Sequence, residues 1–271
     1  MNNFLSYLNP QQRSQLEEIV SKLISRYQPE KIYCFGSRIE STARFSCFAP
    51  EQNQTTSQYD LLLITPNPYK QEPQHYINSR HKKGRVLLLC HSAEVLNAAL
   101  QLKHPFFTRV YEEGMLLYLS ENNKEPTLPE NQHIISFENQ NPQSNLKQAT
   151  EHLQTARQEL KKENHRQTLN QLHQAVKQSS IALIKLCMGY YSENLTLSQL
   201  LRLCGNFSKE AAEHFPQNTP EEIHLFNLLL NSTPNNQIKI NTNTEEVRQL
   251  FERVELFLEL AENLYRERLN E

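Results

Sequence analysis

The chain has 271 residues, of which 38% are hydrophobic, enough to bury one large core or two modest ones. Its 28 basic and 30 acidic residues leave a net charge of −2, which excludes a global positive field that would attract nucleic acid or anionic lipid. The five cysteines are dispersed without a Cys-x-x-Cys pair, which argues against zinc or dithiol redox chemistry and favours buried thiols. No apolar run approaches the ~18 residues of a membrane span and no leader pattern opens the chain, so we expect a cytoplasmic protein without a membrane partner.

Helix and strand signals alternate in residues 1–120. Asn9 and Pro10 are typical of a helix start, and apolar residues then recur on one helical face through Tyr27. Three apolar runs predict buried strands: KIYCFGS ending at Gly36, DLLLIT at 60–65 and GRVLLLCH at 84–91.

The rest of this region continues the same alternation. Ser92 predicts the N-cap of a helix over 92–100, and PFFTRVYEE predicts another short helix. GMLLYLS predicts a last strand near 115–119. Residues 1–120 are therefore predicted to form a domain with a mixed sheet and helices.

Residues 121–145 hold three prolines and many polar residues, so we predict that they link two domains. From residue 146 to 271 the hydrophobic periodicity is helical. The predicted helices cover roughly 146–163, 166–189, 196–205, 208–214, 220–231 and 244–269. The predicted fold class is α+β, with the mixed sheet followed by an all-α bundle.

A phosphate-binding pattern follows the first strand. A strand that ends at Gly36 and Ser37 and opens a helix presents free N–H groups to an anion, and glycine allows close approach. Asp60, the only aspartate in the chain, begins the next apolar run.

This arrangement resembles the minimal nucleotidyltransferase family of the polymerase-beta superfold. The resemblance implies a nucleotide or phosphate site made by Gly36, Ser37, Arg38 and Asp60. In that family, Gly-Ser is followed by Asp-x-Asp and a third acid, and the carboxylates hold two Mg²⁺ ions. Mg²⁺ with a nucleotide is the cofactor that the resemblance implies.

The sequence departs from this pattern at the metal ligands. Gln58 replaces the first aspartate, the later strand RVLLLCH has no acid, and the spacer is long. We therefore predict nucleotide or phosphate binding without transfer. Two alternatives stay open: a nucleotidyltransferase with other metal ligands, and a purely structural role in which Asp60 pairs locally.

The helical half resembles the HEPN domain. Its long helix contains Leu-His-Gln-Ala and ends in Gly-Tyr, although Lys177 stands where the family usually has Glu. The matching residues are Leu172, His173, Gln174, Ala175, Gly189, Tyr190, Leu197 and Leu200. The resemblance implies a fused protein of the bacterial type that forms a homodimer and acts as a regulatory component of a toxin-antitoxin or defence system.

Many HEPN domains are metal-independent RNases that use Arg-x(4-6)-His on a late helix. His224 is the last histidine of this chain, so the last helix carries no such pair. Arg166 and His173 have six residues between them and are the candidate catalytic pair of an alternative RNase function. A buried, hydrogen-bonded His173 and a solvated Arg166 are the competing interpretation, and a self-association scaffold is a third function.

The densest basic run is SRHKKGR at 79–85. Arg80, Lys82, Lys83 and Arg85 are candidates for binding nucleic acid such as RNA through its phosphates. The alternative is a solvated turn that limits edge pairing of the sheet.

Overall fold

The computed structural model describes residues 8, 10–38, 44–46, 58–68, 72–80, 85–121, 141–192, 194–233 and 242–270. These residues belong to two compact units, Met1–Phe137 and Glu138–Glu271. The first contains a mixed sheet with helices, and the described part of the second is helical. The α+β class predicted from the sequence is confirmed.

The first unit is built around strand β1. Its elements are α1 (Pro10–Tyr27), β1 (Lys31–Arg38), β2 (Arg44–Ser46), β3 (Gln58–Thr65), α2 (Glu72–Arg80), β4 (Arg85–Ser92), α3 (Ala93–Gln101), α4 (Pro105–Glu113) and β5 (Met115–Leu119). β3 pairs antiparallel with β1 along one edge, while β2 and β5 pair antiparallel with different parts of its other edge. β4 pairs in parallel with β3 through the α2 crossover. The described sheet therefore runs from β2 and β5 through β1 and β3 to β4.

Helices cover both faces of this sheet. Because side chains alternate along a strand, Tyr59, Leu61 and Leu63 share one face, where they join the apolar side chains of α1 and α2 in one buried cluster. On the other face, the Phe35 ring from β1 lies 5.6 Å from the Phe106 ring of α4. The sheet is thus buried on both sides, which explains the nearly continuous apolar runs of β3 and β4.

Two features of this unit differ from the sequence prediction. β1 does not end at Gly36 but continues through Arg38, because Gly36 to Arg38 are paired with β2 on one side and β3 on the other. The short strand β2 and the helix α2 were not predicted. The start of α2 at Glu72 and Pro73 is nevertheless a recognisable helix signal.

The second unit is organised around its long helix α6. Its elements are α5 (Pro142–Lys161), α6 (His165–Met188), α7 (Leu197–Cys204), α8 (Lys209–Glu213), α9 (Pro220–Asn231) and α10 (Thr244–Asn270). α6 packs on α5, α7, α9 and α10 and ends at Gly189, whose φ of 63° favours glycine. The six predicted helices are confirmed, but α5 begins earlier than predicted because Asn141 caps it and Pro142 starts it. No helix in the described ranges combines the length and hydrophobicity of a membrane span.

The side chain of Gln74 binds the backbone of edge strand β4. Its amide donates to the Val86 carbonyl at 3.0 Å and accepts from the Leu88 N–H at 2.6 Å. The amide thereby acts like a neighbouring strand at that position.

Replacing Gln74 with Ala is expected to lower the free energy of unfolding of the first unit by about 1–2 kcal/mol, because two partly buried backbone groups lose their partner. Urea denaturation measures this change. The neighbouring His75→Ala substitution is the control, since His75 is exposed. Equal stability of both variants would contradict the proposed role of Gln74.

Candidate functional site

Gly36 and Asp60 lie directly opposite each other in the β1–β3 pair. The register shifts between Cys34, which faces Leu61, and Gly36, so β1 carries one extra residue there. Asp60 is 1% exposed and belongs to the sheet face that is packed by α4. Two residues of the predicted phosphate site are therefore cross-strand neighbours.

Ser37 is placed differently. It faces Tyr59 across the same strand pair and so lies on the α1 side of the sheet, away from Asp60. Its side chain is buried, and its Oγ has no hydrogen-bond partner among the described residues. The bulge thus separates the Ser37 hydroxyl from the Gly36–Asp60 pair.

Arg38 completes the set at the end of β1. It pairs with Gln58, which is two positions before Asp60 on β3. Alternation along β3 places the side chains of Gln58 and Asp60 on the same face of the sheet. The backbone register thus places Gly36 opposite Asp60 and Arg38 opposite Gln58, with the Ser37–Tyr59 pair between them, at one end of the sheet.

These residues do not fit the two magnesium ions that the resemblance implies. Mg²⁺ prefers carboxylate oxygens, and the described residues at this position offer one carboxylate, Asp60, and one neutral amide, Gln58. Within the residues that the structure describes, no three His, Cys, Asp or Glu side chains cluster as a metal site requires.

The basic run near residue 80 begins at the end of α2. Arg80 is the last residue of α2, and Arg85 is the first residue of β4, where it pairs with Gln58. Lys82 and Lys83 lie outside the described residues.

The candidate RNase pair lies on α6, but its members are in different environments. His173 is 6% exposed, and its Nδ1 is 2.9 Å from the Leu229 carbonyl on α9, to which it donates. Burial lowers the pKa of His173, as does Lys177 nearby, while the bond to Leu229 acts in the opposite direction. Arg166 is exposed in the first turn of α6, roughly 10 Å from His173 along the helix axis.

A pair of histidines between β4 and α4 was not predicted. The His91 and His104 rings lie 5.0 Å and 5.2 Å from the Phe107 ring. Burial, with a smaller contribution from His104, lowers the pKa of His91 to about 4, and burial also lowers the pKa of His104. The only signal in the sequence is the position of His91 at the end of the apolar run RVLLLCH.

Comparisons with known proteins give only weak likenesses, all to solved structures. No protein-family model matches the chain, and no curated protein matches it. Among solved structures, the chain is similar to a nucleotidyltransferase-like protein from Exiguobacterium sibiricum 255-15, with 14% sequence identity and a TM-score of 0.31. The match covers 94% of this chain and 78% of that protein. A likeness of this size identifies neither the fold family nor the function.

Proposed function

We propose that the first unit is a nucleotide- or phosphate-binding domain of nucleotidyltransferase type that does not carry out two-metal transfer. The observation that carries this proposal is the direct pairing of Gly36 with Asp60, two positions from the pairing of Arg38 with Gln58. These residues are far apart in sequence, and the β1–β3 register brings them to one end of the sheet.

The chemistry of these residues suits an anion. Gly36 has no side chain that would block a phosphate, and an arginine such as Arg38 is a permanent, bidentate phosphate donor. Gln58 offers a neutral amide that can donate to a phosphate oxygen without supplying charge to a metal. With Asp60 as the one carboxylate among the described residues of this site, binding is supported and the clamping of a triphosphate between two Mg²⁺ ions is not.

The finer form of the proposal concerns the whole chain. We infer a fused minimal nucleotidyltransferase–HEPN protein that works in the cytoplasm as a regulatory component of a toxin-antitoxin or defence system. Its support in the second unit is the packing of Leu172 and Leu200 and the end of α6 at Gly189 and Tyr190, which are positions of the HEPN resemblance.

The homodimer expected from that resemblance is tested by sedimentation velocity. A species of twice the chain mass at micromolar concentration supports it. If the chain stayed monomeric at every concentration up to ~100 μM, the dissociation constant of any dimer would exceed that value. Such a weak dimer would contradict the expected homodimer.

Binding of ATP or GTP is the direct test of the phosphate site. At a 100-fold excess over Kd, a nucleotide stabilises the folded state by about 2.7 kcal/mol, which raises the melting temperature by roughly 5–10 °C. Because we expect no metal clamp, the shift should be the same in EDTA and in Mg²⁺. Differential scanning fluorimetry and titration calorimetry measure both quantities.

Two variants and one control sharpen this test. Arg38→Gln is expected to weaken binding roughly 10- to 100-fold by removing a charge-assisted hydrogen bond. Asp60→Asn is expected to bind as tightly or more tightly in EDTA, since it removes a negative charge near the phosphates. Arg109→Gln is the matched control, because Arg109 is exposed and pairs with Glu113 on α4. Absence of binding, or binding that needs both Mg²⁺ and Asp60, would overturn the proposal.

A further inference from the structure

Lys31, the first residue of β1, is a buried cation without an acidic partner. Its side chain belongs to a residue that is 7% exposed, and its ammonium makes neither a hydrogen bond nor an ion pair with any residue that the structure describes. The Lys31 Nζ lies 5.6 Å from the centre of the Tyr111 ring on α4. A cation–π contact replaces only part of the hydration that a buried charge loses. A carboxylate brought to this position would therefore stabilise Lys31.

Exposed apolar side chains surround this cation. Lys31 pairs with Leu119 of β5 and Tyr33 pairs with Leu116, so these side chains share one face of the sheet. The Tyr33 ring lies 6.3 Å from the Tyr111 ring, which identifies the face as the one covered by α4. Leu116, Leu119 and Tyr111 are 43%, 47% and 44% exposed. We call Lys31, Tyr111, Leu116 and Leu119 the β5 surface.

The edge of β5 adds backbone hydrogen-bonding groups to the β5 surface. β5 pairs with β1 along one edge, and no strand in the described part of the sheet pairs with its other edge. Its sequence, MLLYL, has none of the charged residues or prolines with which proteins block edge pairing. The edge of β4, by contrast, is bound by the Gln74 side chain.

We propose that the β5 surface binds an extended acidic segment of another protein, which adds to β5 as a further strand and places a carboxylate against Lys31. In such strand addition the main chain supplies hydrogen bonds and alternate side chains supply specificity. The added strand would lie roughly 10 Å from β1, two strand spacings, which an extended lysine and glutamate span together. Its apolar side chains on the same face would cover Leu116, Leu119 and Tyr111.

The chemistry of the β5 surface selects this partner over a second copy of the chain. β5 contains no acid, so pairing of two β5 strands would bring no carboxylate from either strand to Lys31. The partner segment is instead expected to carry Asp or Glu with apolar residues two positions away, because side chains alternate along a strand. The β5 surface lies at the start of β1, whereas Gly36 lies near the other end, so this inference does not depend on the phosphate site.

Selection from a phage-displayed library of random 12-residue peptides on the full chain tests the proposal. Enriched peptides should contain the acidic residue with apolar residues at alternate positions, and fluorescence anisotropy of the labelled peptides measures their Kd. Lys31→Met should weaken binding roughly 10-fold, because a charge-assisted hydrogen bond is lost. Replacing the acid of the peptide with its amide should weaken binding to the unmodified chain by the same factor and leave binding to Lys31→Met unchanged.

Control variants separate the β5 surface from general effects on the fold. Leu116→Thr and Leu119→Thr keep a strand-forming residue but remove apolar surface, so each should weaken binding several-fold. Lys103→Met and Leu102→Thr, at exposed residues after α3, should bind as the unmodified chain does. Lys31→Met should melt at least as high as the unmodified chain, because it removes a buried unpaired charge.

Hydrogen exchange tests the strand addition itself, since bound peptide should slow exchange of backbone amides in residues 115–119. Unchanged exchange in these residues would overturn strand addition. Failure to enrich any peptide, enrichment of peptides without the acidic pattern, or equal affinity for Lys31→Met and the unmodified chain would overturn the proposed partner. A dimer in sedimentation velocity that is lost in Leu116→Thr and Leu119→Thr would assign the β5 surface to a second copy and likewise overturn the proposal.

Discussion

Lowering the pH from 7 to about 4 is expected to reduce the free energy of unfolding of the first unit by up to about 3 kcal/mol through His91 alone. The pKa of His91 is about 4 in the folded chain, against an ordinary value of 6.5, because burial penalises its charged form. Each pH unit between these values corresponds to about 1.4 kcal/mol. The unfolded chain binds the proton first, so stability is complete above pH 6.5 and is lost as the pH falls towards 4.

The surroundings of His91 reinforce this direction. Its neighbour His104 also has a lowered pKa, and their common neighbour Phe107 offers no charge to stabilise an imidazolium. In the second unit, burial lowers the pKa of His173 and His214 in the same way. Acid should therefore weaken both units as the pH falls below the ordinary histidine pKa of 6.5.

Urea denaturation at pH 7, 5.5 and 4.5 measures the effect. In His91→Gln the loss of stability on acidification should be clearly smaller than in the unmodified chain. His75→Gln is the matched control, because His75 is exposed on α2. An identical pH dependence in His91→Gln and the unmodified chain would contradict the role given to His91.

Helices that begin with a local start signal could be predicted from the sequence. Ser92 and Thr196 accept hydrogen bonds from the N–H groups of Val95 and Gln199, as their positions before apolar runs indicate. Strand β2 could not be predicted in this way. Three residues are too short to show a period, and β2 forms because β1 provides a partner.

The candidate site was predictable in part, because Gly36 follows one apolar run and Asp60 begins the next. Their direct pairing depends on the bulge after Cys34, which no alternation of side chains reveals. The same bulge places Ser37 on the opposite face, against the expectation that all four residues share one site.

The surroundings of His173 in the helical unit distinguish between a structural and a catalytic role for this residue. A general base must reach the proton that it removes, whereas His173 is buried and donates to the Leu229 carbonyl. The bond joins α6 to α9, so it has a clear structural role. Arg166 is exposed and lies two helical turns from His173. It is therefore not part of the buried surroundings of His173.

Replacing His173 with Ala is therefore expected to lower the free energy of unfolding of the second unit by about 2–4 kcal/mol. The substitution leaves a cavity and removes the shorter of the two hydrogen bonds to the Leu229 carbonyl, which keeps only the Ser232 N–H at 3.4 Å. His173→Gln should recover part of this loss because its amide can still donate to Leu229. Arg166→Ala should change stability by less than about 0.5 kcal/mol, and His224→Ala, at a half-exposed histidine, is the histidine control. Thermal and urea denaturation measure the stabilities, and a labelled RNA substrate reports cleavage. If His173→Ala and Arg166→Ala both kept full stability and both abolished RNA cleavage, His173 would be catalytic and its assignment to packing would be wrong.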